Sequence, residues 1–386
     1  MLTQEENELL TRVGAGTPGG RLLRRYWHVV GAASELSAAQ PKKRLRVLGE
    51  DLVLFRDRSG AYALIGEHCA HRGASLYYGF IEPGGIRCAY HGWKYDACGR
   101  CVEQPFEGSE TFKEKIRHPA YPVEKLAGLL FAYMGPPEKK PILPKWDILI
   151  RQDGVKKLET YPILRCNWLQ AMENSVDPVH TYYLHAHSLK VRGNNEAAYY
   201  YRPLEKLDFE VVVEGGWAGI QKRRFFAGEN GPIEAPHPLI FPNMLLVPAR
   251  NGYNMHFRTP VDDFNTQIFH VSFHPTKDGS AVEQPEDPPL EFADTKDQNG
   301  EFHMQTFPSQ DQMAWETQGP VADRSNEHLG ESDRGVILLR KLLRDEILTV
   351  QNGNDPVGVH IGAETDEIIR LIPEGYTAFS STAQQG

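Results

Sequence analysis

Apolar and polar positions alternate in short runs over much of the chain. Between Trp27 and about Pro144 the runs Leu45-Arg-Val-Leu, Leu52-Val-Leu-Phe, Ala61-Tyr-Ala-Leu-Ile and Leu129-Leu-Phe-Ala-Tyr are separated by Gly, Asp and Pro, which predicts a β domain. Longer runs begin after His187: Phe209-Glu-Val-Val-Val, Met244-Leu-Leu-Val, Tyr253-Asn-Met-His-Phe and Gln267-Ile-Phe-His-Val-Ser-Phe-His. The last sets Phe269, Val271 and Phe273 on one face and His270 and His274 on the other, so an antiparallel sheet with one packed face is expected. The period becomes helical at Thr3 to Val13, where Thr3 and Glu6 form a capping-box pattern. It does so again at Ser332 to Asn352, where Val336, Leu339, Leu343 and Ile347 share a stripe and Gly353 sits at the C-cap. Gln284 to Gly300 is rich in Pro, Asp and Glu and reads as a mobile surface loop.

The chain is 386 residues long, enough for two domains with their own cores. Pro136-Pro137 and Pro141 to Pro144 mark the exit from the first, giving residues 25–144 and 145–386, with 1–24 as a helical lead-in. No apolar run is long enough to cross a bilayer, so no membrane partner is expected. The N-terminal stretch is acidic and lacks the basic-then-apolar pattern of a secretion signal. A net charge of −9 argues against nucleic acid as a partner. Five cysteines, an odd number, suit a reducing, cytoplasmic location. Gly14-Ala-Gly16-Thr-Pro-Gly19 fits the G-x-G-x-x-G pattern, but a helix precedes it and Pro18 interrupts it, so a helix-to-helix turn is expected instead of a nucleotide loop. With no other nicotinamide or flavin signature, electrons would have to come from another protein.

The chemistry concentrates in two stretches. Glu67 to Cys101 contains Cys69-Ala-His71 and Cys88-Ala-Tyr-His91. Two cysteines and two histidines could bind zinc, but a zinc finger pairs cysteine with cysteine and histidine with histidine. Here each half supplies one thiolate and one imidazole. That suits a two-iron cluster with both cysteines on one iron and both histidines on the other, and the order of the pairs and the glycines after each histidine, Gly73 and Gly92, resemble Rieske proteins. Cys69, His71, Cys88 and His91 are then the ligands of a [2Fe-2S] cluster. Cys98-Gly-Arg-Cys101 is read as two non-ligand thiols on a hairpin, because the cluster already has four ligands.

The second stretch is Asn167 to His187. Downstream of a Rieske domain, Glu173-x3-Asp177-x2-His180-x4-His185 resembles the iron motif of Rieske non-haem iron oxygenases. His180 and His185 are the expected imidazole ligands of a mononuclear Fe(II), leaving positions for O2 and substrate once a carboxylate joins them. Residues five apart on a regular α-helix diverge by ~140°, so either a π-type turn intervenes or His185 lies past the helix end. Pro178 favours a break between Val176 and Val179.

The resemblance implies more. Gln310-Asp311-Gln-Met-Ala-Trp315-Glu316 resembles the family's C-terminal segment, which makes Asp311 the third ligand, with Glu316 as its competitor. Asp177 would relay electrons between subunits, bridging His91 of one copy to His180 of the next, in a head-to-tail α3 homotrimer. Asn167 resembles a position near the iron; a buried helix-capping asparagine is the alternative. His187 is expected in a supporting or surface role. The implied fold is α+β, an all-β Rieske domain plus a helix-grip catalytic domain in which helices cover an antiparallel sheet. Glu6-to-Trp27 and the pattern Gln318-Gly-Pro, Asp323-Arg, Glu327-His-Leu-Gly and Ser332-Asp are most similar to the phthalate dioxygenase-type branch. The implied activity is that of a terminal oxygenase, fed by a reductase with or without a ferredoxin, which uses O2 to hydroxylate an aromatic acid. Oxidative N- or O-dealkylation is the alternative, and a Rieske electron carrier without chemistry of its own is the competing class. Arg192, Arg224, Arg250 and Arg258 are candidate partners for a substrate carboxylate.

Overall fold

The computed structural model describes residues 1–109, 111–193, 204–214, 216–226, 237–249, 252–360 and 367–372. Thr3 opens the helix Gln4–Thr11 with the reciprocal bonds of a capping box, Thr3 N to Glu6 Oε2 at 2.8 Å and Glu6 N to Thr3 Oγ1 at 3.1 Å. The glycine-rich segment that follows is a turn into the short helix Pro18–Leu23. Both helices pack on the later helix Arg334–Gln351.

The first half is all β. Lys42–Val47, Glu50–Arg56, Tyr62–Gly66 and Ala120–Tyr121 form one four-stranded sheet, and Phe80–Glu82, Gly85–Arg87, Lys94–Tyr95 and Cys101–Glu103 form another. Val53, Phe55, Ile65, Leu76, Ile86, Trp93 and Tyr95 fill the space between them together with Cys69 and Cys88. A third sheet, Trp27–Ala32 with Val123–Leu126 and Leu129–Tyr133, turns its apolar side chains toward the second half.

The second half is built on an eight-stranded sheet in the order Leu204–Glu214, Trp217–Phe226, His237–Ile240, Met244–Ala249, Gly252–Pro260, Thr266–Pro275, Gly154–Thr160, Leu290–Phe292, counted among the described residues. Neighbours are antiparallel except the last pair, which is parallel. The period-two pattern decides its two faces. Leu246, Tyr253, Met255, Phe257, Phe269, Val271 and Phe273 are buried against Trp27, Phe131 and Trp146. The opposite face is polar toward one end and is roofed by the helices Trp168–Asn174, Phe307–Glu316 and Arg334–Gln351. The helical stripe of Val336, Leu339, Leu343 and Ile347 is buried, as its spacing predicts.

Two segments differ from the pattern reading. Within 284–300, Leu290–Phe292 is a strand, and Gln284 bonds to both N and O of Lys156, because the exposed edge of Gly154–Thr160 offers unpaired backbone groups. Leu204–Glu214 lies at the other edge and leaves Val211 and Val213 exposed, while Phe209 packs against Gly335.

Glu173 ties the helices together. Its buried carboxylate takes two bonds from Arg324, at 2.9 and 2.7 Å, and one from Arg340 at 2.7 Å; Arg340 also pairs with Glu327. Burial works against the charge, but the two guanidiniums win and hold the carboxyl below its usual range. Removing one partner of a buried pair leaves uncompensated charge. Glu173→Ala is expected to lower stability by roughly 3–5 kcal/mol, read as a shift in denaturation midpoint.

His28 gives a pH signature. It is buried, with Nε2 2.8 Å from Leu23 O and Nδ1 3.3 Å from Asn243 Nδ2, and burial pushes its pKa down to about 4. The unfolded chain therefore binds a proton that the folded chain refuses between pH ~6.5 and about 4. This stability is present above pH ~6.5 and is lost as pH falls through that window, by roughly 3 kcal/mol. The loss of stability on acidification should be smaller by that amount in His28→Gln than in wild type, by urea titration at matched pH values.

Candidate metal centres

Cys69 and His71 lie on one loop, Cys88 and His91 on another, and the loops repeat the same backbone geometry. Cys69 N donates to Ala74 O at 2.9 Å and Gly73 N to Cys69 O at 2.8 Å; Cys88 N donates to Trp93 O at 2.8 Å and Gly92 N to Cys88 O at 3.0 Å. Gly73 and Gly92 hold φ of 74° and 77°, which a side chain would strain. The result places two buried thiols inward and two imidazoles at the rim, with the rings of His71 and His91 4.5 Å apart. His71 stacks on Trp93 with centroids 4.4 Å apart, and its Nδ1 is buried without a hydrogen-bond partner. Burial pushes the Cys69 thiol up and neighbouring Cys88 adds to this, although the Tyr95 hydroxyl 3.1 Å from Sγ opposes it. Two buried thiols side by side, opposite an orphaned imidazole nitrogen, suit a cationic two-iron centre. Cys98 is exposed and Cys101 buried; both are free thiols, on a turn whose tip is Gly99 at φ 74°.

The second centre depends on a change of helical pitch. The helix Trp168–Asn174 stops, Pro178 keeps the chain irregular, and Thr181–His187 continues as a π-helical turn. Its i→i+5 bonding brings residues five apart to one face, which a regular helix does not do. The rings of His180 and His185 meet at 5.1 Å and 80°. Asp311, on the facing helix Phe307–Glu316, places Oδ1 3.7 Å from His180 Nε2 and 3.3 Å from His185 Nε2. The three ligand atoms lie within 4.8 Å of one another, two imidazoles and a carboxylate in facial-triad chemistry. His185 Nδ1 is 2.7 Å from Gln310 Oε1, so Nδ1 carries the hydrogen and Nε2 is free to ligate. Burial raises the Asp311 carboxyl, but the two imidazoles overcome it and hold the group below its usual range, ionised and ready to bind a cation.

The other candidates fall in different places. Asp177 Oδ2 is 3.7 Å from His180 Nδ1, and its Oδ1 accepts from Val179 N at 2.9 Å. Glu316 is turned away from the histidines, taking Arg165 N at 3.2 Å and Lys296 at 2.5 Å. Asn167 is fully buried and caps its helix: Oδ1 accepts from Leu169 N, and Nδ2 donates to Thr11 O and Asp263 O. The asparagine that reaches the site is Asn174, with Nδ2 3.5 Å from Asp311 Oδ1. It follows Asn167 by seven residues, about two helical turns and nearly the same face, so nothing in the spacing of polar residues separates the two. His187 packs on Tyr183, centroids 5.9 Å apart.

Beside the triad is a cavity of about 370 Å³ walled by the polar face of the sheet. Lys222, Arg224 and Arg258 line it and are all buried. Arg258 donates to Ala171 O and Ser175 Oγ and lies over Trp315 at 4.9 Å, and Lys222 donates to Ser175 O, so both also hold the end of the helix that precedes the π turn. Arg224 donates to Thr181 Oγ1 at 2.7 Å. Of the other two arginines named from sequence, Arg192 is exposed, and Arg250 lies outside the described residues.

Asp311→Ala is expected to retain cluster absorbance while losing the mononuclear iron. Gln310→Leu should weaken ferrous ion binding by roughly 10–100-fold, because the ring of His185 loses its orienting acceptor. Dialysis against ferrous iron with metal analysis reads both.

Residues 26–122 match the family model of the Rieske [2Fe-2S] domain, and residues 293–370 match that described as LigXa C-terminal domain like. Over 93% of its length the chain is 37% identical to the 5,5'-dehydrodivanillate O-demethylase oxygenase subunit of a Sphingobium species, covering 84% of that protein. It is 36% identical to the phenoxybenzoate dioxygenase subunit alpha of Ectopseudomonas oleovorans, over 94% of this chain and 89% of that one. Among solved structures, the terminal oxygenase of carbazole 1,9a-dioxygenase from Novosphingobium sp. KA1 shares the fold, with a TM-score of 0.63 at 22% identity over 87% of this chain and 96% of that one. The two metal-ligand patterns, the α+β fold and full-length relatives of this closeness agree, and the chain belongs to the Rieske non-haem iron oxygenases as an oxygenase subunit, a family that carries a Rieske [2Fe-2S] cluster and a mononuclear iron.

Proposed function

We propose that this protein is the terminal oxygenase of a multicomponent system acting on an aromatic acid. The observation that carries the reading is the triad of His180, His185 and Asp311 opening onto a cavity with three buried cationic side chains. Cys69, His71, Cys88 and His91 would hold the cluster, and His180, His185 and Asp311 the mononuclear iron. When bound, these groups supply single electrons and O2 activation. The chain's own residues do the rest. Gln310 fixes the tautomer of His185, and Asn174 reaches the Asp311 oxygen that faces both imidazoles. Lys222, Arg224 and Arg258 make the cavity favourable for a carboxylate, at a place where water cannot screen the attraction.

Asp177 is the inter-subunit link in this reading. It lies beside His180 with its side chain 31% exposed, and His91 is at the protein surface, so both ends of the link are open to another copy. That supports a head-to-tail homotrimer. The electron donor is a separate reductase, with or without a ferredoxin. A cytoplasmic location fits the absence of any membrane-crossing helix among the described residues.

Oxidative O-demethylation is the second reading. It is favoured by the LigXa-like match at 293–370 and by the O-demethylase at 37% identity. Hydroxylation and demethylation use the same iron site and differ in which carbon the cavity presents to it.

The first test is iron and acid-labile sulfide per chain. About three irons to two sulfides is the sum of one cluster and one mononuclear ion. Two irons to two sulfides, persisting after ferrous loading, would reduce the protein to an electron carrier. Asp177→Asn is expected to keep both metals and lose nearly all reductase-driven turnover of aromatic acids; full turnover in that variant would sink the relay.

A further inference from the structure

The cavity carries a second set of polar groups that the reaction so far leaves unused. Strand register places Glu159 opposite His270 and His270 opposite His256, one rung across three neighbouring strands. Tyr161 follows two residues after Glu159. Its hydroxyl donates to Glu159 Oε1, and the hydroxyl oxygen itself is 3.0 Å from His270 Nδ1. The ring of His270 lies against that of His256, with centroids 3.6 Å apart and planes tilted by 31°. All four side chains line the cavity that His180, His185 and Asp311 open onto.

Counting hydrogens fixes the tautomer. A carboxylate only accepts, so the one hydroxyl hydrogen of Tyr161 goes to Glu159. The Tyr161 oxygen is left to accept, and the hydrogen it accepts is that of His270 Nδ1. A neutral imidazole has one N–H, so Nε2 of His270 presents a lone pair. Burial keeps the ring neutral, with its pKa held down to about 3. Among the described residues nothing donates to this nitrogen. An acceptor that lines the cavity, is kept in one tautomer and meets no protein donor is open to a hydrogen brought by a ligand.

We propose that His270 Nε2 accepts a hydrogen bond from a hydroxyl group of the substrate, so that the enzyme selects phenolic aromatic acids, with Glu159 and Tyr161 as positioning residues. The inference rests on the aromatic-acid reading above and deepens it. Lys222 and Arg224 are on a strand four positions away in the sheet order, and Arg258, on the strand beside His270, is turned to Ala171 O and Ser175 Oγ, so the cavity has a cationic region for a carboxylate and an accepting region for a hydroxyl. A carboxylate placed at His270 would meet a lone pair and gain nothing.

The test is equilibrium dialysis of the iron-loaded holoenzyme with matched ligands: 4-hydroxybenzoate, 4-methoxybenzoate and benzoate, and the corresponding 3-methoxylated and biphenyl carboxylate series. Wild type should bind the phenol of at least one series roughly ten- to hundredfold tighter than both its methyl ether and its unsubstituted analogue. Requiring both excludes a simple clash with the methyl group. In Glu159→Leu the Tyr161 hydroxyl hydrogen has no acceptor left but Nδ1; His270 takes the other tautomer, and the preference should collapse to within about twofold while binding of the unsubstituted acid is kept. His270→Leu should remove the preference too, and if it fails to fold, Glu159→Leu and wild type decide. Equal binding of phenol and unsubstituted acid by wild type overturns the inference alone, as does a preference that survives in Glu159→Leu. Failure of every carboxylate in all series to bind overturns the aromatic-acid reading and this inference with it.

Discussion

The five-residue spacing of His180 and His185 is the constraint on which the catalytic half depends. A regular helix would send the two rings ~140° apart, and no third ligand could reach both. The π turn removes that conflict, at the cost of poorer backbone geometry that neighbouring structure has to stabilise. The surroundings of residues 171–181 show how. Arg258 and Lys222 donate to the carbonyls that end the preceding helix, Arg224 holds Thr181, and Gly335 lets the long helix approach so closely that any added Cβ would lie 2.2 Å from Val176 O. The irregular segment is clamped from the sheet on one side and from the Arg334–Gln351 helix on the other.

The same helix is fixed further back by groups distant in sequence. Asn167 ties its start to the N-terminal helix and to Asp263, and Glu173 ties its end to Arg324 and Arg340. A buried ion cluster is a weak source of net stability, since desolvation cancels most of the attraction. Its value here is geometric. Two guanidiniums converge on one carboxylate and fix the direction in which the helix delivers the chain to Asp177 and His180.

The candidate cysteine and histidine ligands could be named because their chemistry is local, whereas Asp311 was named from the resemblance. Cys69 and His71, Cys88 and His91, and His180 and His185 are each separated by five residues or fewer, so their spacing can be weighed against loop and helix geometry directly. Pro178 announced the break, and the alternating runs announced two β regions, while the fold class came from the family resemblance. What stayed hidden is set by pairing across distance. The role of Gln310 depends on the helix Phe307–Glu316 facing the π turn; Asn174 and Asn167 look alike until the helix direction is known; Glu173 finds partners 151 and 167 residues away. The acidic, proline-rich composition of 284–300 suggested a mobile loop, yet Leu290–Phe292 completes the sheet, because composition does not reveal a vacant strand edge.

The sheet explains how one cavity can hold opposite chemistries. Alternation sends every second residue of each strand to the same face, and antiparallel register aligns those residues into rungs. Along Thr266–Pro275 the side chains turned away from the cavity, Phe269, Val271 and Phe273, are locked in the core, so the register cannot slip by one residue without burying His270 and Ser272 among them. The apolar face therefore fixes the polar one. Lys222 and Arg224 on one strand and the neutral acceptor His270 on another are held apart by the strands between them, and the separation is as rigid as the core beneath. A helical or loop-built pocket would have to fix each polar group separately; here the packing that stabilises the domain also sets the distance at which a substrate's two polar ends can be read.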